Sequence, residues 1–197
     1  MTAEELDERI RRTDPAHLPA FAATCATRMA PVFGGFTRST SPATYDAWLE
    51  ELWSLVRSPA PERAQELVDA LESVPEAHVD DSHRPDFYAM RALSVLAYAA
   101  QTMTDDDPTQ AALWCSDENL SLVSAFDFVL KRESDSLASA EAEAQNETLD
   151  RLTRNNGAEA SVTLDSSRTS PLVARLGGTV DEVVRARDWD MSARPAW

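Results

Sequence analysis

Glycine is scarce, five residues in 197, and none stands in a run that ends in lysine. A loop that cradles phosphate therefore has no material to form from. Lysine is scarcer still: Lys131 is alone beside seventeen arginines, a compositional bias and not a site. The two cysteines, Cys25 and Cys115, lie ninety residues apart in apolar helical surroundings. They read as two buried small hydrophobes, with a disulfide or a reactive thiol as the alternative. Cys25 has no histidine beside it, and Asp117 and Glu118 next to Cys115 would raise a thiol pKa. No G-x-S-x-G elbow occurs. No catalytic residue and no cofactor site emerges.

Positive charge is also short. Thirty-four acids face eighteen bases, a net charge of −16. The imbalance is spread along the chain, with sixteen acids and nine bases in residues 1–99 and eighteen and nine in residues 100–197. Nine scattered bases per half build no basic patch, which excludes nucleic acid as an expected partner. An acidic surface draws a basic protein and speeds its association, or simply keeps the chain soluble. Long apolar runs are missing as well. The best candidate, Phe87 to Met103, is too short for a membrane span and too rich in alanine, serine and threonine. The charged, amphipathic start MTAEELDERIRR has no apolar stretch behind it, so a cytoplasmic protein is expected.

What the chain does hold is helix. PDFYAMRALSVLAYAAQTM, residues 85–103, carries one charge, Arg91, after its first turn. Phe87, Met90, Leu93, Ala97 and Ala100 recur at helical spacing, and Tyr88, Ala92, Val95, Leu96 and Ala99 widen the apolar surface. A helix apolar on so much of its girth is wrapped by others. Around it the spacing predicts a short first helix on Leu6 and Ile10 and a second over about 17–29 through Leu18, Phe21, Ala22, Cys25, Ala26 and Met29. Ser41-Pro42 opens a third, with Tyr45, Trp48, Leu49, Leu52, Leu55 and Val56 inward. A fourth runs from Glu62 to Val74. After Asp106 or Asp107 as cap, one long or twice-started helix reaches Leu130, and another spans about 136–152. Gly34-Gly35 and Gly177-Gly178 read as turns.

The fold expected is all-α: a compact multi-helix bundle around the central apolar helix 85–103, forming a domain over residues 1–153. From Asn155-Asn156-Gly157 the character changes. Residues 154–197 read as a mixed C-terminal appendage that folds over the domain or stays partly loose: a brief alternation over 160–164, a short helix after Ser170-Pro171 stopping at Gly177-Gly178, and another turn or two from Thr179. Trp189 and Trp197 are stranded there in polar sequence.

Several of these pieces resemble a known family. FAATCATRMAPVFGGF (21–36), LEELWSLV (49–56), the central helix, NLSLVSAFDFVL (119–130) and the spaced Asp135, Leu137, Glu141, Gln145, Leu149 and Leu152 resemble, in order and spacing, the bacterial domain-of-unknown-function family 416, the YjaG-like proteins. The resemblance covers about residues 18–153. It implies an all-helical fold and carries no established chemistry; residues 154–197 have no clear counterpart in it.

Candidate sites are few. His78, Asp80, Asp81 and His83 are metal-ligand types crowded into six residues. They share one polar loop, whereas ligands usually come from separate elements, so solvated charge before a helix is the plainer account. Arg28 and Arg91 sit at the margins of apolar helices and need carboxylate partners if buried; Asp127, between Phe126 and Phe128, is the natural candidate for one of them. If a pocket exists, it should lie there, with Tyr88, Tyr98 and Trp114. Trp53 and Trp189 are candidate interface anchors. The leading expectation is a non-enzymatic acidic protein acting by protein–protein contact with a basic partner, most concretely an immunity-type or toxin-neutralising protein. The alternative is an enzyme or a small-molecule or metal-binding protein using an inter-helical pocket.

Overall fold

The structure, a computed structural model, describes residues 3–104, 107–154 and 163–191. The fold is all-α, and no strand occurs among the described residues. In chain order the helices are α1 (Ala3–Arg12), α2 (Leu18–Arg28), α3 (Ala30–Phe36), α4 (Pro42–Arg57), α5 (Pro61–Glu72), α6 (Asp86–Gln101), α7 (Pro108–Leu130), α8 (Leu137–Arg154), α9 (Leu164–Arg168) and α10 (Pro171–Ala186). Short 3-10 turns at Pro15–His17 and Pro75–His78 join α1 to α2 and α5 to α6.

The helices start where the sequence chemistry lets them. Proline lies in the first turn of α2, α3, α4, α5, α7 and α10, where its missing N–H costs nothing. The Ser41, Asp107 and Ser170 side chains each accept a backbone N–H at the next helix's start. Asp127 does the same at long range. Its carboxylate accepts from Leu137 N at 2.9 Å, Ala138 N at 3.0 Å and the Ser136 hydroxyl at 2.8 Å. One residue near the end of α7 thereby caps α8, and it is not the arginine partner expected of it.

Helix α6 packs against α7, α2, α3 and α5, as its broad apolar girth requires, and no residue from Asp86 to Gln101 is fully exposed. It shares the centre with α2, in which every residue from Phe21 to Met29 is buried. The alanines of α2 make this possible by letting α4, α6, α7, α8 and α9 approach it closely. Tyr45 ties the two central helices together, its hydroxyl reaching Ala26 O at 3.0 Å and Ala92 O at 3.3 Å.

In the C-terminal region α10 takes the first of the two expected courses and folds onto the bundle, but not as two short pieces. α10 is one continuous helix that buries Leu172, Leu176, Val180 and Val183 in the same core, packed chiefly on α3. Gly177 and Gly178 do not stop it, because burial of its apolar stripe outweighs glycine's weak helix preference. Gly35 is likewise no turn. It lies inside α3, where a Cβ would stand 2.1 Å from a Val180 methyl, so the two helices meet there only because the side chain is missing. The alternation over 160–164, the Asn155-Asn156-Gly157 stop, Asp106 and Trp197 lie outside the described residues, apart from Thr163, which caps α9, and Leu164 in its first turn.

Candidate functional site

The Arg28 side chain is almost wholly enclosed where α2 meets α8. Its Nε donates to Glu141 at 2.8 and 3.1 Å and its Nη2 donates at 2.5 Å, a two-pronged grip with side chains 4% and 0% exposed. Glu141 also accepts from Gln145 Nε2 at 3.0 Å, and Gln145 Oε1 accepts from the Ser116 hydroxyl at 2.6 Å. Burial alone would lower the Arg28 pKa, but the charge of Glu141 and its hydrogen bonds outweigh that and hold the guanidinium charged. Both cysteines flank this seam, buried and free. Arg28 Nη2 lies 3.4 Å from Cys25 Sγ, and burial pushes the Cys115 thiol well above its ordinary value. Neither thiol is placed to act as a nucleophile.

A cleft of about 210 Å³ opens over Arg28 between α8 and α9. It is the inter-helical concavity that the alternative reading looked for, and its wall is rich in hydroxyls. Those hydroxyls are occupied: Thr24, Thr148, Ser167 and Thr169 donate to the backbone oxygens of Phe21, Ala144, Thr163 and Asp165. With Nε and Nη2 of Arg28 spent on Glu141, the donors left on the wall are Arg28 Nη1, the Ser170 hydroxyl and Arg151, whose guanidinium comes no nearer than 3.7 Å to Glu147.

Arg91 pairs with Glu118 at 2.5 Å, with side chains 15% and 23% exposed. It bridges α6 to α7 near the surface. Tyr98 and Trp114 pack against each other with ring centroids 5.8 Å apart and planes tilted by 46°, and Trp114 is 46% exposed. Further along α7, Phe128 is 83% exposed. Residues 114, 121 and 128 repeat every two turns, and Asp117, Ser121 and Ser124 between the two aromatics are exposed too. This crest of α7 is a bare helix face with a large aromatic near each end.

The other expected residues fall elsewhere. Trp53 is interior, 2% exposed, and its indole N–H donates to the Thr27 hydroxyl at 2.9 Å; it is no interface anchor. Trp189 folds back onto the bundle, donating to His83 O at 3.1 Å and packing against Phe36 and Tyr88. Tyr88 belongs to that aromatic cluster with Phe36 and Phe126 and is buried, so it joins neither Tyr98 nor Trp114. His78, Asp80, Asp81 and His83 are all exposed, and Asp81 caps the His83 N–H at 2.9 Å. Among the described residues no three His, Cys, Asp or Glu side chains converge as metal ligands.

Sequence reasoning missed Glu76. Its carboxylate, 1% exposed, fills the α3–α4 loop. It accepts the N–H groups of Arg38, Ser39 and Thr40 at 3.2, 2.7 and 2.9 Å and the hydroxyls of Thr37 and Thr40, both at 2.7 Å. Burial alone would raise its pKa; those hydrogen bonds outweigh it and bring it down to about 2. Successive N–H groups form an anion nest, and the chain supplies its own anion. Only the TRST run (37–40) hinted at such a loop, and nothing in sequence pointed it at Glu76.

The surface charge is lopsided in a definite way. Eleven arginines are committed to carboxylates of this chain, so the excess acids set the outward field. Asp117, on the α7 crest, has its pKa raised by partial burial and by Asp7, against the pull of Arg11. No helix among the described residues is long and apolar enough to cross a membrane. No protein-family model, no curated protein and no solved structure matches this chain.

Proposed function

We propose that this protein works without catalysis, by protein–protein contact, and that the α7 crest is its docking face for a basic protein. The observation that carries the reading is the exposure of Trp114 and Phe128 on one face of one helix. The other described aromatics are all buried or half-buried, and large aromatics left this bare are the kind that anchor interfaces. The net charge of −16 supports a cationic partner, since it would draw one toward the molecule. The proposed setting is the cytoplasm, and the most concrete role is to hold a basic effector or toxin in neutralised form. The resemblance to family 416 fits the helical architecture and adds no chemistry to this reading.

The test is capture from a cytoplasmic extract at low and moderate salt, with the wild type and a Trp114→Ala/Phe128→Ala double variant of unchanged circular dichroism. The reading expects one stoichiometric basic protein, released by salt and absent from the variant. Equal capture by both, or capture indifferent to salt, overturns it.

A further inference from the structure

We propose that the cleft over Arg28 binds a free α-amino acid as its zwitterion, at a site apart from the α7 crest and independent of the contact reading. Arg28 lines the cleft with a side chain only 4% exposed. Its Nε is spent on Glu141, and its Nη2 on Glu141 and Cys25. Nη1 has no protein partner among the described residues, and unlike Arg38 Nε or Arg132 Nη1 it is not sealed from solvent. It therefore opens on the cleft. A guanidinium nitrogen held in place by its bonded neighbours offers N–H groups already aimed at a carboxylate. The Ser170 hydroxyl stands on the same wall. Its oxygen accepts the Leu172 N–H at 3.3 Å, and its own proton is unspent. Ser170 also caps the sixteen-residue α10, whose positive end adds to the attraction.

The rest of the wall decides what accompanies the carboxylate. Arg151 and Glu147 also line the cleft, one turn apart on α8 and only loosely paired at 3.7 Å. With Glu141 behind Arg28, two cations face two carboxylates and the local charge sums to zero. A plain anion gains no net charge there and is repelled by a chain of −16. The hydroxyls of Thr148, Ser167 and Thr169 donate to backbone carbonyls, so what they still offer is a lone pair. The Glu147 carboxylate, too, only accepts. A fitting ligand brings an acceptor at one end, strong donors at the other, and no net charge. An α-amino acid does this, with its carboxylate toward Arg28 Nη1 and Ser170 and its ammonium toward Glu147 and the hydroxyl oxygens. The volume of about 210 Å³ equals about seven waters, room for a small or medium side chain.

The probes are glycine, L-alanine, L-serine and L-leucine, titrated into the full chain at constant ionic strength. Binding is followed by calorimetry and by the guanidinium N–H signals of the arginines in NMR. At least one amino acid is expected to bind with millimolar or better affinity and to shift the Arg28 signal. Its acid without the amine and its amine without the acid (propionate and ethylamine for L-alanine) should bind at least about tenfold more weakly, since each meets one pole of the cleft. Glu147 is exposed, so Glu147→Gln should fold normally. It should weaken the amino acid about tenfold and leave propionate unchanged or tighter. Trp114→Ala/Phe128→Ala should bind the amino acid as the wild type does; a loss there would put the ligand on the crest and overturn the cleft. Three other results overturn the inference: no binding by any of the four, an acid that binds as tightly as its amino acid, or full amino-acid affinity in Glu147→Gln.

Discussion

Two arginine–glutamate pairs with the same 2.5 Å closest contact face opposite conditions in this molecule. Arg28–Glu141 lies inside the bundle and Arg91–Glu118 lies near its surface. In the first, both ions have left water and depend on each other and on Gln145; in the second, solvent screens the attraction and would accept either ion alone. Distance therefore says little about what a pair contributes, and enclosure says most. The same contrast separates two regions of the surface: the α2–α7–α8 seam is polar and lies beneath the cleft over Arg28, while the α6–α7 face is apolar in part and open.

The sharpest way to break the comparison is at Glu141. Glu141→Ala leaves the Arg28 guanidinium buried without its counter-ion and should cost about 3–5 kcal/mol in urea unfolding. Arg28→Met/Glu141→Leu removes both ions, fills the volume, and should recover most of that loss. If the single variant costs no more than a surface pair, the seam is not closed in solution.

Glu76 sharpens the contrast from the side of pH. Its pKa lies at about 2 against an ordinary 4.5, so the folded state favours the carboxylate. Its contribution, about 3 kcal/mol by linkage, is complete above pH 4.5, declines as pH falls from there, and is gone below about 2. Glu76→Gln should be less stable than wild type at neutral pH, and the two stability curves should converge across that acid window. Parallel curves there would mean the nest does not hold an ionised group. Gly35→Ala comes next: the new Cβ meets Val180, and forcing α3 and α10 apart should cost about 1–3 kcal/mol. Adding Val180→Ala should return part of it. Smaller again is Glu118→Ala, expected to lower stability by at most about 1 kcal/mol because its pair with Arg91 is partly exposed.

The sequence made the helices legible wherever apolar spacing and start signals agreed, as at Ser41-Pro42 and in the central helix. It misjudged α10 because Gly177-Gly178 weakens the local signal, and the compensating contact with α3 joins residues far apart in the chain. It found Arg28 and Arg91 as ions needing partners but named Asp127 for one of them, since the neighbouring phenylalanines suggested burial. Burial does hold for Asp127, but backbone N–H groups at the start of α8 had the nearer claim on it. The anchors were harder. Spacing can place Trp53 beside an inward stripe and Trp114 on another helix, but which of them faces solvent depends on where the neighbouring helices lie. Trp53 meets Thr27 inside; Trp114 packs against Tyr98 of α6 and stays 46% exposed.

Phe128 is the residue at which stability and function should part most completely. At 83% exposure its ring has little packing to lose, so Phe128→Ala should shift unfolding by no more than about 0.5 kcal/mol in either direction. If the α7 crest is an interface, the same change should weaken the partner at least about tenfold, as for an aromatic anchor that becomes buried only on binding. Trp114→Ala should behave alike in binding but cost slightly more in stability, because Trp114 already packs against Tyr98. The discriminating measurement pairs urea unfolding with affinity for the captured partner on the same variants. A Phe128→Ala protein that keeps full affinity would move the interface off α7 altogether. One that loses stability and affinity together would mean that Phe128 packs on something in solution, and that the crest is less bare than it stands here.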